Sequence, residues 1–335
     1  MYKCILKDLK NNLKPTAGLL EHLLNADELA WLNIFKQADE IRREYMGNTV
    51  HIRAIIEFSN YCRRKCAYCG LNSTNGKITR YRMQPEEIIA TAIEGFKAGY
   101  RTVVLQSGED PWYTPEILGD IVKEIKKNTD LSITLSCGEM SYDDYSYLRK
   151  CGADRYLLKH ETADENIYSK LHSCGTLENR INCLKNLKKL GYETGSGFMI
   201  GLPWQTGETI ARDILLLNSI PCDMAGIGPF IPNGNTPLRD YAAGSPLLTK
   251  KAVALARLVI KNIHLPATTA LGVLDSAEKN DVFSCGANVV MRKITPPKYR
   301  ELYKIYPIDL GEIKSIKDER IDLENAVRVL HRNPL

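Results

Sequence analysis

No stretch of this 335-residue sequence approaches the roughly 18 consecutive apolar residues of a membrane-spanning helix. Its first residues, MYKCILKDLKNNLKP, lack the apolar core of a secretory signal. A soluble, cytoplasmic protein without membrane contact is expected. Charge of one sign is not concentrated either. The 45 Lys and Arg are interspersed with 40 Asp and Glu, for a formal net charge of +5, so no nucleic-acid partner is implied. No Gly-x-Gly-x-x-Gly follows the first β-rich run and no P-loop occurs, which removes the usual signatures of dinucleotide and nucleoside triphosphate binding. Low-complexity segments are absent as well.

What is present is cysteine. Ten of them without a secretory signal argue against a disulfide framework and for thiols kept reduced for metal or redox chemistry. Cys4, Cys151, Cys174, Cys183, Cys222 and Cys285 are scattered singly and read as small buried hydrophobes. Residues 1–48 read as a helical extension, with Leu19, Leu20, Leu23 and Leu24 packing from one segment and Leu29, Leu32, Ile34, Phe35 and Ile41 from the next. From His51 the pattern changes to eight β-rich runs: HIRAIIEF, RTVVLQ, LSITLS, RYLLKH, TGSGFMIG, MAGIGPF, PATTAL and ANVVM. Helix-like segments alternate with them over 85–97, 115–127, 142–150, 177–190, 208–217 and 249–261, several opened by Pro or a polar cap. Alternation of this kind predicts a parallel sheet with right-handed crossovers, and eight repeats predict closure into an α/β (βα)8 TIM-type barrel over 49–307. The final residues, 308–335, predict a helical tail packed on the barrel, with Ile321, Leu323, Val327 and Leu330 on one side.

The densest chemical signal is Cys62-Arg-Arg-Lys-Cys66-Ala-Tyr-Cys69, directly after the first predicted strand, at the end where barrels build active sites. A short irregular loop of three thiolates can wrap an iron-sulfur cubane so that each sulfur reaches a different iron. Three ligands leave the fourth iron open to chelate a substrate. A zinc knot is the competing reading, but structural zinc takes four ligands and neither a second Cys pair nor a nearby His pair completes this set. Arg63, Arg64 and Lys65 within the loop offset the charge of a thiolate cluster or are simply solvated cations.

This spacing, with an aromatic residue just before the last cysteine, resembles the radical S-adenosylmethionine superfamily. The resemblance implies one catalytic 4Fe-4S cluster on Cys62, Cys66 and Cys69, which reductively cleaves S-adenosylmethionine to a 5′-deoxyadenosyl radical. It also implies that Tyr68 lies beside the adenine and that Gln106, Ser107, Gly108 and Glu109 receive the methionine ammonium. Ser136 and Glu161 then bind ribose hydroxyls, and Arg180 pairs with the methionine carboxylate through its fork of donors. Taken singly, each of these is as well explained as a cap or surface charge; all but Arg180 fall at predicted strand ends on one face.

Longer runs resemble one branch, the FeFe-hydrogenase maturases of the HydE type, relatives of biotin synthase and methylornithine synthase. HIRAIIEFSNYC, YRMQPEEI, VLQSGEDPWY, GADRYLLKHETA, ENRINCLKNLKKLGYETG, GIGPFIPNGNTPL, PATTALG and CGANVVM carry it. That branch implies a barrel cavity for a small organometallic or amino-acid-derived substrate, a reducing electron donor, and other hydrogenase maturases as partners. Positions matching its cavity wall are Arg155, Lys159, Met224, Thr268, Thr269 and Tyr303. Arg155 and Lys159, four apart on a strand, face the same side and suit anion capture, as do the two threonine hydroxyls; Met224 and Tyr303 also read as packing residues. Two departures stand out. Related chains carry Arg where Lys159 stands, exchanging a rigid fork for a point charge. No Cys follows Cys285, which excludes a second cluster bound by the C-terminal region. Alternatives to maturation are an amino-acid mutase of the methylornithine synthase kind, sulfur insertion of the biotin synthase kind, and a non-catalytic carrier of an iron-sulfur or iron-carbonyl unit.

Overall fold

The computed structural model describes residues 2–11, 14–274, 281–307 and 314–335. Three helices open the chain, α1 (Tyr2–Lys10), α2 (Ala17–Leu24) and α3 (Glu28–Met46). Eight parallel strands follow: β1 (Thr49–Ser59), β2 (Thr102–Ser107), β3 (Ser132–Ser136), β4 (Arg155–Leu157), β5 (Glu193–Ile200), β6 (Met224–Pro229), β7 (Pro266–Ala267) and β8 (Val289–Lys293). They pair in the order β6-β5-β4-β3-β2-β1-β8-β7. A parallel bridge between Met224 and His264 joins the two ends, so the sheet is a nearly closed barrel.

Between the strands lie α4 (Pro85–Lys97), α5 (Pro115–Asn128), α6 (Tyr142–Lys150), α7 (Glu165–Leu171), α8 (Leu177–Lys189), α9 (Gly207–Ser219) and α10 (Pro246–Val259). Their starts are chemically marked. Gln84 and Glu87 form a capping box at α4, Ser141 and Asp144 one at α6, and Pro opens α4, α5 and α10, where its missing N–H costs nothing. Behind β7 come α11 (Thr269–Leu274) and a 3-10 turn (Val282–Cys285), and behind β8 the short α12 (Pro297–Arg300). Helix α13 (Ile316–Val329) and the two-residue β9 (Asn333–Pro334) complete the chain, β9 pairing with Thr49 and Val50 at the start of β1.

Several expectations change in detail. Only Pro266 and Ala267 of PATTAL are strand, and Thr269 already begins a helix. Helix α7 had no counterpart in the periodicity. Leu29 and Leu32 are exposed at 78% and 64%, because α3 turns Ala30, Trp31, Ile34, Ala38 and Ile41 inward instead. On α13 the inward side is Ile316, Leu323 and Val327, while Ile321 is exposed. Cys4 and Cys174 are exposed rather than buried.

Side chains alternate along each strand, so every second residue points into the barrel. Arg53, Ile55 and Glu57 do so from β1, and Arg155, Leu157 and Lys159 from β4 and its continuation. Height follows from position: four residues of strand separate their ends by about 13 Å.

Candidate active site

The cysteine loop leaves β1 at the C-terminal face of the barrel and is zipped to the end of β2. Gly108 N–H donates to Ser59 O (3.1 Å) and Arg63 N–H to Glu109 O (2.9 Å). Gly108 is glycine for a steric reason: a Cβ there would stand 2.3 Å from Tyr61 O and 2.7 Å from Cys62 Cβ. Beyond Cys69, Arg80 donates to Leu71 O (2.8 Å) and Asn72 O (2.7 Å), and Asn60 Nδ2 to Thr79 O and Leu302 O (both 2.8 Å). The loop is thus held from both sides by backbone acceptors.

Burial raises all three thiols, Cys69 to about 12, and at Cys66 the charges of Cys69 and Cys62 act in the same direction. Three mutually repelling, desolvated thiolates are stable only around a group that supplies positive charge, and a 4Fe-4S cluster meets that requirement. Among the described residues no three His, Cys, Asp or Glu side chains converge on a single-ion site. Among the described residues a zinc knot therefore has no assembled ligand set, whereas a cubane does not ask its sulfurs to meet at one point.

Two carboxylates organise the loop's cations. Glu109 Oε2 accepts from Arg64 Nε (2.5 Å) and Arg63 Nε (3.2 Å), and its Oε1 from Glu139 N–H (3.1 Å). Glu139 takes Arg180 Nε (2.6 Å) on one oxygen, and Arg64 Nη2 (2.8 Å) and Asn179 Nδ2 (2.7 Å) on the other. Despite burial, Arg180 and Arg64 hold the Glu139 carboxyl below its ordinary range. Arg180 also donates to Lys159 O (2.6 Å), so this buried guanidinium bridges the segments that follow β3 and β4. The two carboxylates are neighbours by register. Gln106 pairs with Ser136, so Gly108-Glu109 and Gly138-Glu139 run side by side. Gly138 (φ +86) leaves room for Glu109, whose Cγ a Cβ would meet at 2.0 Å.

Inside the barrel mouth lies a cavity of about 300 Å³. Tyr68, Cys69, Gln106, Lys159, Glu161, Thr268, Thr269 and Tyr303 all line it, so these eight of the expected cofactor and substrate residues share one space. Gln106 Nε2 donates to Tyr303 OH (3.2 Å), and Lys159 Nζ stands 3.2 Å from Glu161 Oε2. Glu161 has φ +65, a strained backbone for a non-glycine residue, of the kind that concentrates at functional sites. Ser107 and Ser136 end β2 and β3 on the adjoining rim, both half-buried.

Two residues expected in this cavity lie elsewhere. Arg155 and Met224 face the barrel interior but at its N-terminal end, where Arg155 pairs with Glu193 (2.5 Å) and Arg53 Nη1 donates to Met224 Sδ (2.9 Å). Sharing a face with Lys159 did not give Arg155 the same height.

Sequence reasoning missed four residues. Glu139 carried a signal, the second Gly-Glu at a strand end. Glu57 on β1 and Lys293 on β8 form an ion pair at 2.9 Å in the cavity wall. His172 had none. It follows α7, is buried, stacks on Tyr168 and places Nδ1 3.3 Å from Cys66 Sγ.

The sequence profile described as Radical SAM superfamily matches residues 56–217. The [FeFe] hydrogenase maturase subunit HydE of Thermotoga maritima is 52% identical over 82% of this chain and 78% of its own length. The 3-methylornithine synthase of Methanosarcina acetivorans is 31% identical over 84% of this chain and 81% of its own. Among solved structures, methylornithine synthase (PylB) superposes with a TM-score of 0.87 at 27% identity, covering 99% of this chain and 97% of that one. HydG, a maturase of the [FeFe]-hydrogenase, superposes at 0.84 with 19% identity over 99% of this chain and 75% of that one, a likeness of fold.

Proposed function

The chain belongs to the radical SAM superfamily and, within it, to the family of the [FeFe]-hydrogenase maturase HydE, and from that premise we propose that it converts a small cysteine-bound iron carbonyl cyanide species during assembly of the hydrogenase's diiron cofactor. It is a radical SAM enzyme whose cofactors are a 4Fe-4S cluster and S-adenosylmethionine. When bound, the cluster supplies the electron that releases methionine and a 5′-deoxyadenosyl radical from S-adenosylmethionine.

In this reading Cys62, Cys66 and Cys69 hold the cluster and His172 shields Cys66 from water. Tyr68 lies against the adenine, residues 106–109 receive the methionine ammonium, and Ser136 and Glu161 take ribose hydroxyls. Arg180 faces the methionine carboxylate, its guanidinium plane set by Glu139. Lys159, Thr268, Thr269 and Tyr303 face the substrate, the compact Lys159 ammonium gripping anionic groups with less directional demand than a guanidinium. Arg155 and Met224 receive no substrate role. Catalysis belongs to 49–307, with 1–48 and 308–335 as packing elements, residues 308–313 lying outside the described ones. A reducing electron donor and the other hydrogenase maturases are the partners, and the reducing cytoplasm suits free thiols. Among the described residues no helix is long and apolar enough to cross a membrane.

The observation that carries the reading is the cavity itself: it runs from Cys69 and Tyr68 to a polar wall inside the barrel, the enclosure a primary carbon radical needs. Anaerobic reconstitution followed by dithionite and S-adenosylmethionine yields 5′-deoxyadenosine if the reading holds; a reduced cluster without that product sinks it. Cys66→Ser removes the thiolate-iron absorption near about 400 nm. The likeness to methylornithine synthase supports an amino-acid mutase as the second reading, and a lysine-dependent rise in 5′-deoxyadenosine decides for it.

A further inference from the structure

The segment that joins α7 to α8 lies against the cysteine loop and is fastened to it. Ala67 N–H donates to Leu171 O (2.9 Å) and Arg64 Nη1 to Cys174 O (2.5 Å), one bond on each side of His172. The imidazole between them has little freedom. It stacks on Tyr168 with ring centroids 4.3 Å apart, meets Tyr68 edge-on at 5.5 Å and is 6% exposed. Nδ1 is thereby carried to 3.3 Å from Cys66 Sγ.

A cysteine bound to iron has lost its proton and can only accept a hydrogen bond. A ring with its proton on Nε2 alone would set a nitrogen lone pair against the sulfur's. It would also leave a buried N–H unanswered, because among the described residues Nε2 has no partner. A proton on Nδ1 removes both penalties, so the contact is N–H···S. The three sulfurs are served differently. Backbone N–H groups of Arg64 and Glu109 act on Cys62 and that of Leu71 on Cys69, whereas a side chain, which a substitution can remove, acts on Cys66.

We infer that His172 tunes the redox couple of the cluster: its Nδ1–H bond to Cys66 stabilises the reduced state, which holds one electron more, and so raises the reduction potential. Hydrogen bonds to the sulfurs are among the levers that set such potentials. The bond strengthens as its acceptor gains negative charge, since charge-assisted hydrogen bonds are roughly twice as strong as neutral ones. Shielding from water acts in the opposite sense, because desolvation disfavours the more negative state. An aromatic ring without a donor separates the two effects. This assignment rests on the reading above, in which Cys66 is a cluster ligand.

Reconstituted enzyme without S-adenosylmethionine is poised anaerobically at a series of potentials with redox mediators, and the reduced cluster is counted by its electron paramagnetic resonance. His172→Phe keeps a ring over Cys66 and loses the donor; at a fixed potential its ratio of reduced to oxidised cluster falls about tenfold, the equivalent of about 59 mV for a one-electron couple. His172→Asn, whose amide N–H stands in for Nδ1–H, recovers most of that shift. An unchanged or higher ratio in the Phe variant overturns the inference, as does an Asn variant that falls as far as the Phe variant. Should neither variant hold a cluster, unaltered enzyme labelled with heavy-isotope nitrogen only in its histidines decides: pulsed resonance of the reduced cluster detects a coupled histidine nitrogen, and the absence of that coupling overturns the inference. The absorption of Cys66→Ser near about 400 nm is scored separately. Its persistence sinks the ligand reading itself, while its loss beside an unshifted His172→Phe sinks the tuning role alone.

Discussion

Glu139 sits where three positive or donating groups meet, Arg64, Arg180 and Asn179, and it is buried. Removing one partner from a buried ionic cluster strands the others, a loss of about 3 kcal/mol in stability. Glu139→Gln keeps the shape and removes the charge. It lowers the denaturant midpoint accordingly and weakens S-adenosylmethionine binding roughly tenfold, a change of about 1.4 kcal/mol; an unmoved midpoint would show that solvent already screens the cluster. The residue scale also shows what a single sequence conceals. Glu109 is legible because it ends a strand within a familiar run, whereas Glu139 stands three residues past Ser136 and gains meaning only when β2 and β3 are laid side by side in register. Glu57 and Lys293 are each a charge within a β-run, but nothing in either run names the other as its partner. His172 reaches Cys66 through a tertiary contact over 106 positions, which no local pattern encodes.

A strand sets two coordinates, face and height, and periodicity reveals only the first. That is why Arg155 and Lys159 were grouped and why they separate: both face inward, at opposite ends of the barrel. Arg155→Met therefore leaves substrate-dependent 5′-deoxyadenosine formation intact and costs at most about 1 kcal/mol in stability, since Glu193 is half-exposed at 52% and solvent screens the pair. A large fall in that activity with stability unchanged would return Arg155 to the substrate site. The crossover helices were the most legible elements, because caps and prolines mark their starts. Strand β7 was the least. Two residues suffice to pair with β8 because the chain then turns into α11, so a β-rich composition overstated its length. Leu29, Leu32 and Ile321 erred for another reason: the buried stripe of each helix is offset from them.

At the scale of the whole molecule, burial holds several histidines neutral. It pushes His264 down to about 3 and His51 down to about 4, whereas His160, also down to about 3, stands 3.5 Å from the Asp213 carboxyl, which burial pushes up, so that pair's two contributions oppose each other. Between their ordinary value near 6.5 and these depressed ones, the unfolded chain binds protons that the folded chain refuses. Stability present above about pH 6.5 is therefore lost as the pH falls, by up to about 1.4 kcal/mol per pH unit for each of His51 and His264. The depressed Glu139 adds its own loss only once the pH drops below the carboxylate range. Urea midpoints of the cluster-free protein at pH 7.5, 6 and 5 should descend steadily with unchanged slope; a flat series would mean that these rings are hydrated in solution.

The barrel's joints differ in kind. Strand β1 is paired along much of its length with β2 and β8, while β6 meets the β7 side through the Met224 bridge alone, with Ala225 N–H donating to His264 O and His264 N–H to Asp223 O (both 2.9 Å). Opening one seam does not require opening the rest. In heavy water the amides of Ala225 and His264 take up deuterium well before those of Ile55 and Leu105, and uniform exchange would contradict this. Thermal agitation thus has a fixed place to begin, a line of first parting that runs down the wall between Gly228 and Thr268.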